Sequence, residues 1–334
     1  MGKDQTPTIY TVAKEAGVSI TTVSRVLNSP HQVKEATRSK VLDAINRLGF
    51  TPKAQAVARA RQQIGRIGVL APYFSTFAIT QRLRGIANRL ADTKYELVIY
   101  SIDSDKRFTG HLGRLSTSQQ IDGLILISLN LTDEQAQRLK KNIPAVLIES
   151  QHRLISSVVI DNFSGGRMVA KYFIEKGHQR MAFLDYGNLP VTSTVHAGKE
   201  RLAGFEYELN EHGIELPSNH IHFPEWAVPT ANTDYIRNML KNEPATAIFV
   251  ANDYLALITL HVARRIGYRI PEDIAIMGFD DIEIAGQIGL TTVSQFLDET
   301  GKLAVEMLMK DIQQENPIVL RTQIPLELRE RETA

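Results

Sequence analysis

Two groups of side chains in this sequence are of types that bind rather than merely fold. The first lies in "GVSITTVSRVLN", where Ile20, Thr21, Thr22, Ser24, Arg25 and Asn28 fall on the outer side of a short helix that Ser19 can cap. Short hydroxyls, an amide and one guanidinium suit phosphate oxygens and base edges, and Arg25 can pair bidentately with guanine. The second group stands at the ends of apolar runs: Glu149 after "AVLI", Asn252 and Asp253 after "AIFVA", and Asp280 and Asp281 after "IAIMGF". Adjacent carboxylates on an extended chain point to opposite sides, so Asp280 and Asp281 make a poor general acid/base pair. Asp253 also reads as a cap for the helix that follows it. Taken singly, each of these residues is more often a cap or loop residue than a ligand contact.

The elements that must hold the first group are three short helices, over about 10–16, 20–27 and 35–48. Gly17 supplies the left-handed conformation that ends the first. Val12, Ala13, Ala16, Val18, Val23, Val26 and Leu27 would pack the first pair against Val41, Leu42 and Ile45 of the third, which makes a helix-turn-helix. The second group belongs to a different architecture. From Ile64 onward, nearly continuous apolar runs ("RIGVLAP", "YELVIYSI", "DGLILIS", "AVLIES", "SVVIDN", "RMAFLDY", "AIFVAND", "IAIMGFDD") alternate with segments of helical spacing such as "GGRMVAKYFIEKG" and "DYLALITLHVARRIG". Runs of this kind fit parallel strands covered by helices on both faces, an α/β fold. Two lobes are expected, with "QHRLISSVVIDN" as a crossover and a ligand cleft at the carboxyl ends of the strands.

Charge separates the same two regions. Residues 1–66 carry eleven Lys and Arg against four Asp and Glu, a net of +7, within a 334-residue chain of net charge +1. A basic module on an acidic body favours a polyanionic partner. There is no cysteine, so disulfides and thiolate chemistry are excluded. Neither a secretory leader nor a stretch of ~18 apolar residues is present, so a cytoplasmic location without membrane association is expected.

"TIYTVAKEAGVSITTVSRVLN", "TRSKVLDAINRLGFTP", "VANDYLAL", "IPEDIAIMGFDDIEIA" and "LTTVSQ" resemble the lactose-repressor/galactose-repressor family of bacterial transcription regulators, from about Thr8 to the C-terminus. The resemblance implies a helix-turn-helix headpiece (1–51), a hinge helix or linker (52–63) and a two-lobed core akin to periplasmic sugar-binding proteins (64–334). The first lobe is expected over about 64–160 and 291–320, the second over about 161–290 and 321–334. It further implies a homodimer on a pseudopalindromic double-stranded DNA operator, its DNA affinity set by a small molecule in the cleft. The expected DNA-contacting residues are Thr8, Tyr10, Ser19, Ile20, Thr21, Thr22, Ser24, Arg25, Asn28, Thr37 and Arg59.

For the cleft, the resemblance selects Arg201 of "GKERLAGF", Asn252 of "VAND", Asp280 of "GFDD" and Glu149 as polar contacts, and Trp226 of "FPEWAVPTA" as a ring beside the ligand. Phe77 and Ile79 complete the set. Planar Asp and Arg groups with an aromatic ring suit a pyranose, since they bind paired hydroxyls while the ring covers an apolar sugar face. Two features depart from the family pattern. Ala78 and Ile79 stand where adjacent aromatics often precede the glycine of the first core helix, Gly85, and Tyr73, Phe74 and Phe77 are the nearby rings that would compensate. A roomier or less aromatic first wall would follow, and with it a larger saccharide. The hinge "KAQAVARARQQ" places Arg59 where relatives insert a leucine into the minor groove; Arg is drawn instead to a narrow, A·T-rich groove.

The reading is a regulator, expected to be a repressor, of carbohydrate-utilisation genes with a sugar-like effector. The alternatives are a periplasmic-type sugar receptor without DNA function, or a purine-responsive regulator. An enzyme is not expected: there is no dinucleotide fingerprint after the first strand, no phosphate loop and no Gly-x-Ser-x-Gly elbow. His220 and His222 lack further ligands at metal spacing, so neither a metal nor a cofactor is expected. With no added heptad segment after "LELRERETA", the expected assembly is a dimer rather than a coiled-coil tetramer.

Overall fold

The computed structural model describes residues 7–28, 33–48, 50, 65–116, 120–187, 191, 194, 197–224, 229–242, 245–314 and 317–334. They form two compact units, Met1–Gly65 and Arg66–Ala334. The hinge with Arg59, and Trp226, lie outside the described residues, and Asn28 is described only as the last residue of its helix.

The first unit contains α1 (Ile9–Ala16), α2 (Ile20–Asn28) and α3 (Glu35–Leu48). Thr8 caps α1, its hydroxyl accepting from the Thr11 amide while Thr11 Oγ1 accepts the Thr8 amide at 2.8 Å. Gly17 ends the helix at φ 65°, ψ 35°, where a side chain would be strained. Ser19 Oγ accepts from the Thr22 amide at 3.1 Å and so caps α2. Val12, Ala13, Val23, Val26, Val41 and Ala44 form the core. Leu42, expected inside, is 44% exposed. One residue turns a helix by about 100°, so with Val41, Ala44, Ile45 and Leu48 facing inward Leu42 is carried outside.

The second unit begins with β1 (Gly65–Pro72), α4 (Phe77–Leu90), β2 (Tyr95–Ile102), α5 (Asp105–Leu115), β3 (Gly123–Ile127), α6 (Asp133–Asn142), β4 (Ala145–Ile148) and β5 (Ser156–Ile160). A second lobe follows: α7 (Asn162–Glu175), β6 (Met181–Leu184), α8 (Ala197–Glu211), β7 (Ile221–His222), α9 (Pro229–Asn242), β8 (Ala247–Val250), α10 (Asp253–Arg265), β9 (Ala275–Met277), α11 (Glu283–Gln287) and β10 (Thr292–Ser294). The chain then returns to the first lobe with α12 (Leu297–Gln313) and β11 (Arg321–Ile324), and ends with β12 (Glu327–Arg329) antiparallel to β10.

The first sheet runs β11-β5-β4-β3-β1-β2 and the second β7-β6-β8-β9. Each of the eight apolar runs named above contains one of these strands or the greater part of one, and the reason is visible in the packing. Ile125, Ile127, Val146 and Ile148 bury one face of the first sheet under α4 and α12, while Leu124, Leu126 and Leu147 bury the other with Phe108 and Leu139. Ala182, Ile248 and Ile276 against Phe183, Phe249 and Met277 divide the second sheet in the same way. Both faces are covered, so apolar residues do not alternate with polar ones.

Two parts of the expected division differ. Arg321–Ile324, assigned from sequence to the second lobe, pairs in parallel with Ser157–Ile160 and forms the edge of the first sheet. "QHRLISSVVIDN" contains β5, a strand of that sheet, so the chain crosses between lobes only after Ile160.

Candidate functional site

Four strand ends converge on the cleft between the lobes, and the backbone there is unusual. Tyr73 after β1, Ser128 after β3, Glu149 after β4 and Asp280 after β9 have φ of 49°, 54°, 67° and 134°, conformations that L side chains rarely adopt. All four line one cavity of about 190 Å³. Each such residue costs about 1–3 kcal/mol, a cost typical of binding sites, where the surrounding structure over-determines the backbone. Here the ladder holds them: the amides of Ser128, Glu149 and Asp280 bond to Ile148, Val158 and Val293 carbonyls at 2.9 Å each.

Two buried arginines enter the cavity from symmetric positions. Arg82 on α4 precedes Gly85 by one helical turn, and Arg201 on α8 precedes Gly204 in the same way. These glycines allow close helix approach: a Cβ on Gly85 would lie 2.0 Å from the Asp298 carbonyl oxygen, and one on Gly204 would lie 1.9 Å from that of Phe163. Each lobe thus fixes one arginine through a tightly packed helix pair.

A chain of hydrogen bonds, closed by one longer ion pair, connects the two arginines across the lobes. Ser128 Oγ donates to Glu149, whose other oxygen accepts from Arg82 Nη2 at 2.5 Å. The same Nη2 reaches Gln295 Oε1 at 2.9 Å, and Gln295 Nε2 donates to Asp280. Asp280 Oδ1 lies 3.8 Å from Arg201 Nη1. Arg201 Nε donates to Asn162 at 2.9 Å, Nη1 donates to the Ala251 carbonyl, and the guanidinium lies 3.8 Å from the Phe279 ring centroid. Burial would raise the Glu149 carboxyl, but Arg82, Ser128 and Arg201 outweigh it and hold it below the usual range. For Asp280 burial wins, against the pull of Arg201 and Arg82, and pushes it up to about 6.

Of the residues expected in the cleft, Phe77, Ile79, Glu149, Arg201, Asn252 and Asp280 all line this cavity. Asn252 caps α10, its Oδ1 accepting from the Leu255 amide at 2.9 Å, a bond that does not use its NH2. Asp253 instead turns inward: Oδ2 accepts the Ile282 amide at 2.9 Å and Oδ1 the Thr292 hydroxyl at 2.5 Å. The aromatic wall is Tyr73, Phe77, Tyr186 and Tyr254, with Phe77 and Tyr254 in ring contact at 5.9 Å across the cleft; Phe74 does not line it.

Arg82, Asp185, Tyr186 and Tyr254 were missed by the sequence reading. Asp185 and Tyr186 follow "MAFL" as Asn252 follows "AIFV", so the same strand-end rule finds them. Arg82 in "QRLRG" has the look of any helix-surface arginine, and only its turn-before-glycine spacing, shared with Arg201, marks it. At the cleft rim, Arg84 binds Asp298 through Nε and Nη2 at 2.7 Å each and Glu283 through Nη1 at 2.5 Å, while Gln81 Oε1 accepts the Glu283 amide at 2.8 Å.

In the headpiece, Tyr10, Ser19, Ile20, Thr21 and Arg25 are exposed and Thr8, Thr22, Ser24 and Thr37 are partly so. Arg25 has no ion pair among the described residues. Thr8, Ser19 and Thr22 also serve the caps described above.

Comparison with known proteins agrees with both units. Residues 8–53 match the model of the bacterial regulatory proteins of the lacI family, and 170–334 match the periplasmic binding protein-like domain. Catabolite control protein A of Priestia megaterium is 33% identical over 326 residues, 95% of this chain and 96% of that protein. The chain belongs to the lacI family. As a lacI-family protein it is a DNA-binding transcription regulator with a periplasmic-binding-protein-like domain, and its relatives are regulators rather than enzymes. The repressor PurR of Aliivibrio salmonicida is 30% identical, covering 91% of this chain and 92% of PurR. Among solved structures, the regulator CelR in complex with cellobiose has a TM-score of 0.69 at 29% identity, covering 98% of this chain and 100% of CelR. The Lac repressor dimer bound to operator and the anti-inducer ONPF has a TM-score of 0.74 at 28% identity, covering 98% and 99%. No described helix is long and apolar enough to cross a membrane, and the described residues contain no cluster of metal-ligating side chains.

Proposed function

We propose that this regulator acts as a homodimeric repressor of carbohydrate-utilisation genes whose operator affinity is set by a saccharide in the interlobe cleft. The observation that carries the reading is the cavity itself. Glu149, Asp280 and the Asn252 NH2 from strand ends, with Arg201 from helix α8, come from both lobes and surround a space walled by four aromatic rings. Such a set offers paired donors and acceptors to vicinal hydroxyls and an apolar face to a sugar ring. Related structures, CelR in complex with cellobiose and the Lac repressor dimer bound to operator, support a saccharide, an operator and a dimer. Because the lobes also touch at the rim through Arg84–Glu283 and Phe77–Tyr254, a ligand that prefers one lobe arrangement shifts the population of the other.

In the headpiece, Arg25 with Tyr10, Ile20, Thr21, Thr22, Ser24, Asn28 and Thr37 is assigned to base edges and phosphates, with Thr8 and Ser19 presenting helix N-termini. Arg59 is assigned to the minor groove. A thermal-shift screen of mono- and oligosaccharides beside purine bases tests the effector class. A saccharide that raises Tm in proportion to the logarithm of its concentration supports the reading; stabilisation by purines alone overturns it.

A further inference from the structure

The charged groups lining the cleft do not balance. Arg82 is matched by Glu149, and Arg201 faces Asp280, but Asp185 is a third carboxylate with no cation of its own among the described residues. It stands at the end of β6, where its Oδ1 accepts the Tyr186 amide at 2.7 Å. Its Oδ2 has no hydrogen-bond partner among the described residues. The other groups that face it are Arg201, on α8, and the like-charged Asp280. Gly198 lies beneath it: a Cβ there would come within 1.7 Å of Oδ2, so the second residue of α8 has to be glycine for the carboxylate to take this place. The start of α8 offers only a partial positive charge, and burial pushes the Asp185 carboxyl up to about 6.

We propose that Asp185 is a ligand-binding residue that reads charge: the effector presents an ammonium group or a pair of hydroxyls to its Oδ2 and carries no negative charge of its own. This rests on the saccharide reading of the cleft. A carboxylate lacking a cation costs free energy until a ligand supplies donors, and the net negative lining repels an acidic sugar. Asp185 therefore trades stability of the empty protein for selectivity.

The test uses the full-length protein with glucose, glucosamine and glucuronate, and the matching galactose series, read by calorimetry and by thermal shift. The expected order is amino sugar at or above neutral sugar, with the uronate at least tenfold weaker. Asp185→Asn is expected to lose at least tenfold in affinity for the neutral and amino sugars and to narrow the gap to the uronate. Its ligand-free Tm should equal or exceed that of the wild type, the gain widening from about pH 4 to about pH 6, where the folded carboxyl holds a proton that the unfolded chain has released, and levelling off above. A uronate that binds as well as the neutral sugar, or an Asp185→Asn protein with unchanged affinities, overturns the proposal. If no sugar binds while purines do, the saccharide reading fails instead; a ligand-free Tm that falls in Asp185→Asn at every pH then overturns the charge argument independently.

Discussion

Arg82 and Glu149, 67 residues apart in the chain, meet in an ion pair of 2.5 Å with side chains only 2% and 9% exposed. A pair this buried gains little over two well-packed apolar side chains, but losing one member leaves the other charge uncompensated. Glu149→Gln is therefore expected to destabilise the core by about 3–5 kcal/mol, and the Arg82→Met/Glu149→Met double variant to recover most of that loss. Urea denaturation of the three proteins measures it; a double variant no more stable than Glu149→Gln contradicts the assignment. The sign of the pH effect follows from the lowered Glu149 carboxyl. Its stabilisation is present above the unfolded value of about 4.3 and is lost as pH falls through the folded value, so Arg82→Met should flatten the acid limb of the stability profile.

Asp253 predicts the opposite slope. Burial, aided by the charge of Asp280, pushes its carboxyl up to about 7, against about 3.9 in the unfolded chain. Between those values the folded protein holds a proton that the unfolded chain has released, so stability falls as pH rises from about 4 to about 7 and then levels off. The Tm of Asp253→Asn relative to wild type is expected to rise across that interval. A gap that stays constant from pH 5 to pH 8 shows that Asp253 ionises freely.

Gly204 and Gly110 provide a matched pair. Both lie inside helices, but a Cβ on Gly204 meets backbone at 1.9 Å, whereas one on Gly110 meets nothing within 4 Å. Gly204→Ala should cost roughly 1–3 kcal/mol or more by forcing α7 and α8 apart, and should weaken saccharide binding because Arg201 moves with α8. Gly110→Ala should be neutral or stabilise by about 0.5–1 kcal/mol. Equal effects on Tm would mean that the helix pair does not depend on close approach.

Arg25 is exposed on α2 and pairs with no described carboxylate. Its replacement by Ala should weaken operator binding by the 1–3 kcal/mol typical of a bidentate base contact, roughly 5- to 150-fold, with little change in Tm. If instead Arg25→Ala weakens binding equally on every DNA sequence and lowers the salt slope by about one, Arg25 contacts phosphate rather than a base.

Much of this architecture is legible in the sequence because burial on both sheet faces writes itself as unbroken apolar runs, and because Gly17 and Ser19 act through local backbone chemistry. What escaped notice depends on long-range partners. The edge strand "RTQI" alternates between exposed and half-buried residues and so has no apolar run to mark it. Leu42 falls outside because one residue, about 100° around α3, separates it from the inward-facing Val41. Arg82 is buried only because Glu149 and Gln295, distant in sequence, wait for it; no periodicity within α4 distinguishes it from Arg84, which sits at the exposed rim. Trp226, chosen for its ring, has no described position, and the rings that wall the cavity are tyrosines and Phe77.

The central claim is coupling between the cleft and DNA, and the most direct measurement is the operator Kd, by fluorescence anisotropy on DNA upstream of the protein's own gene, with and without a saccharide that binds the core. Linkage predicts a salt-sensitive complex whose Kd changes by roughly 5- to 150-fold when the saccharide is saturating. A complex whose Kd is the same at every saccharide concentration, or the absence of any salt-sensitive complex, would contradict it.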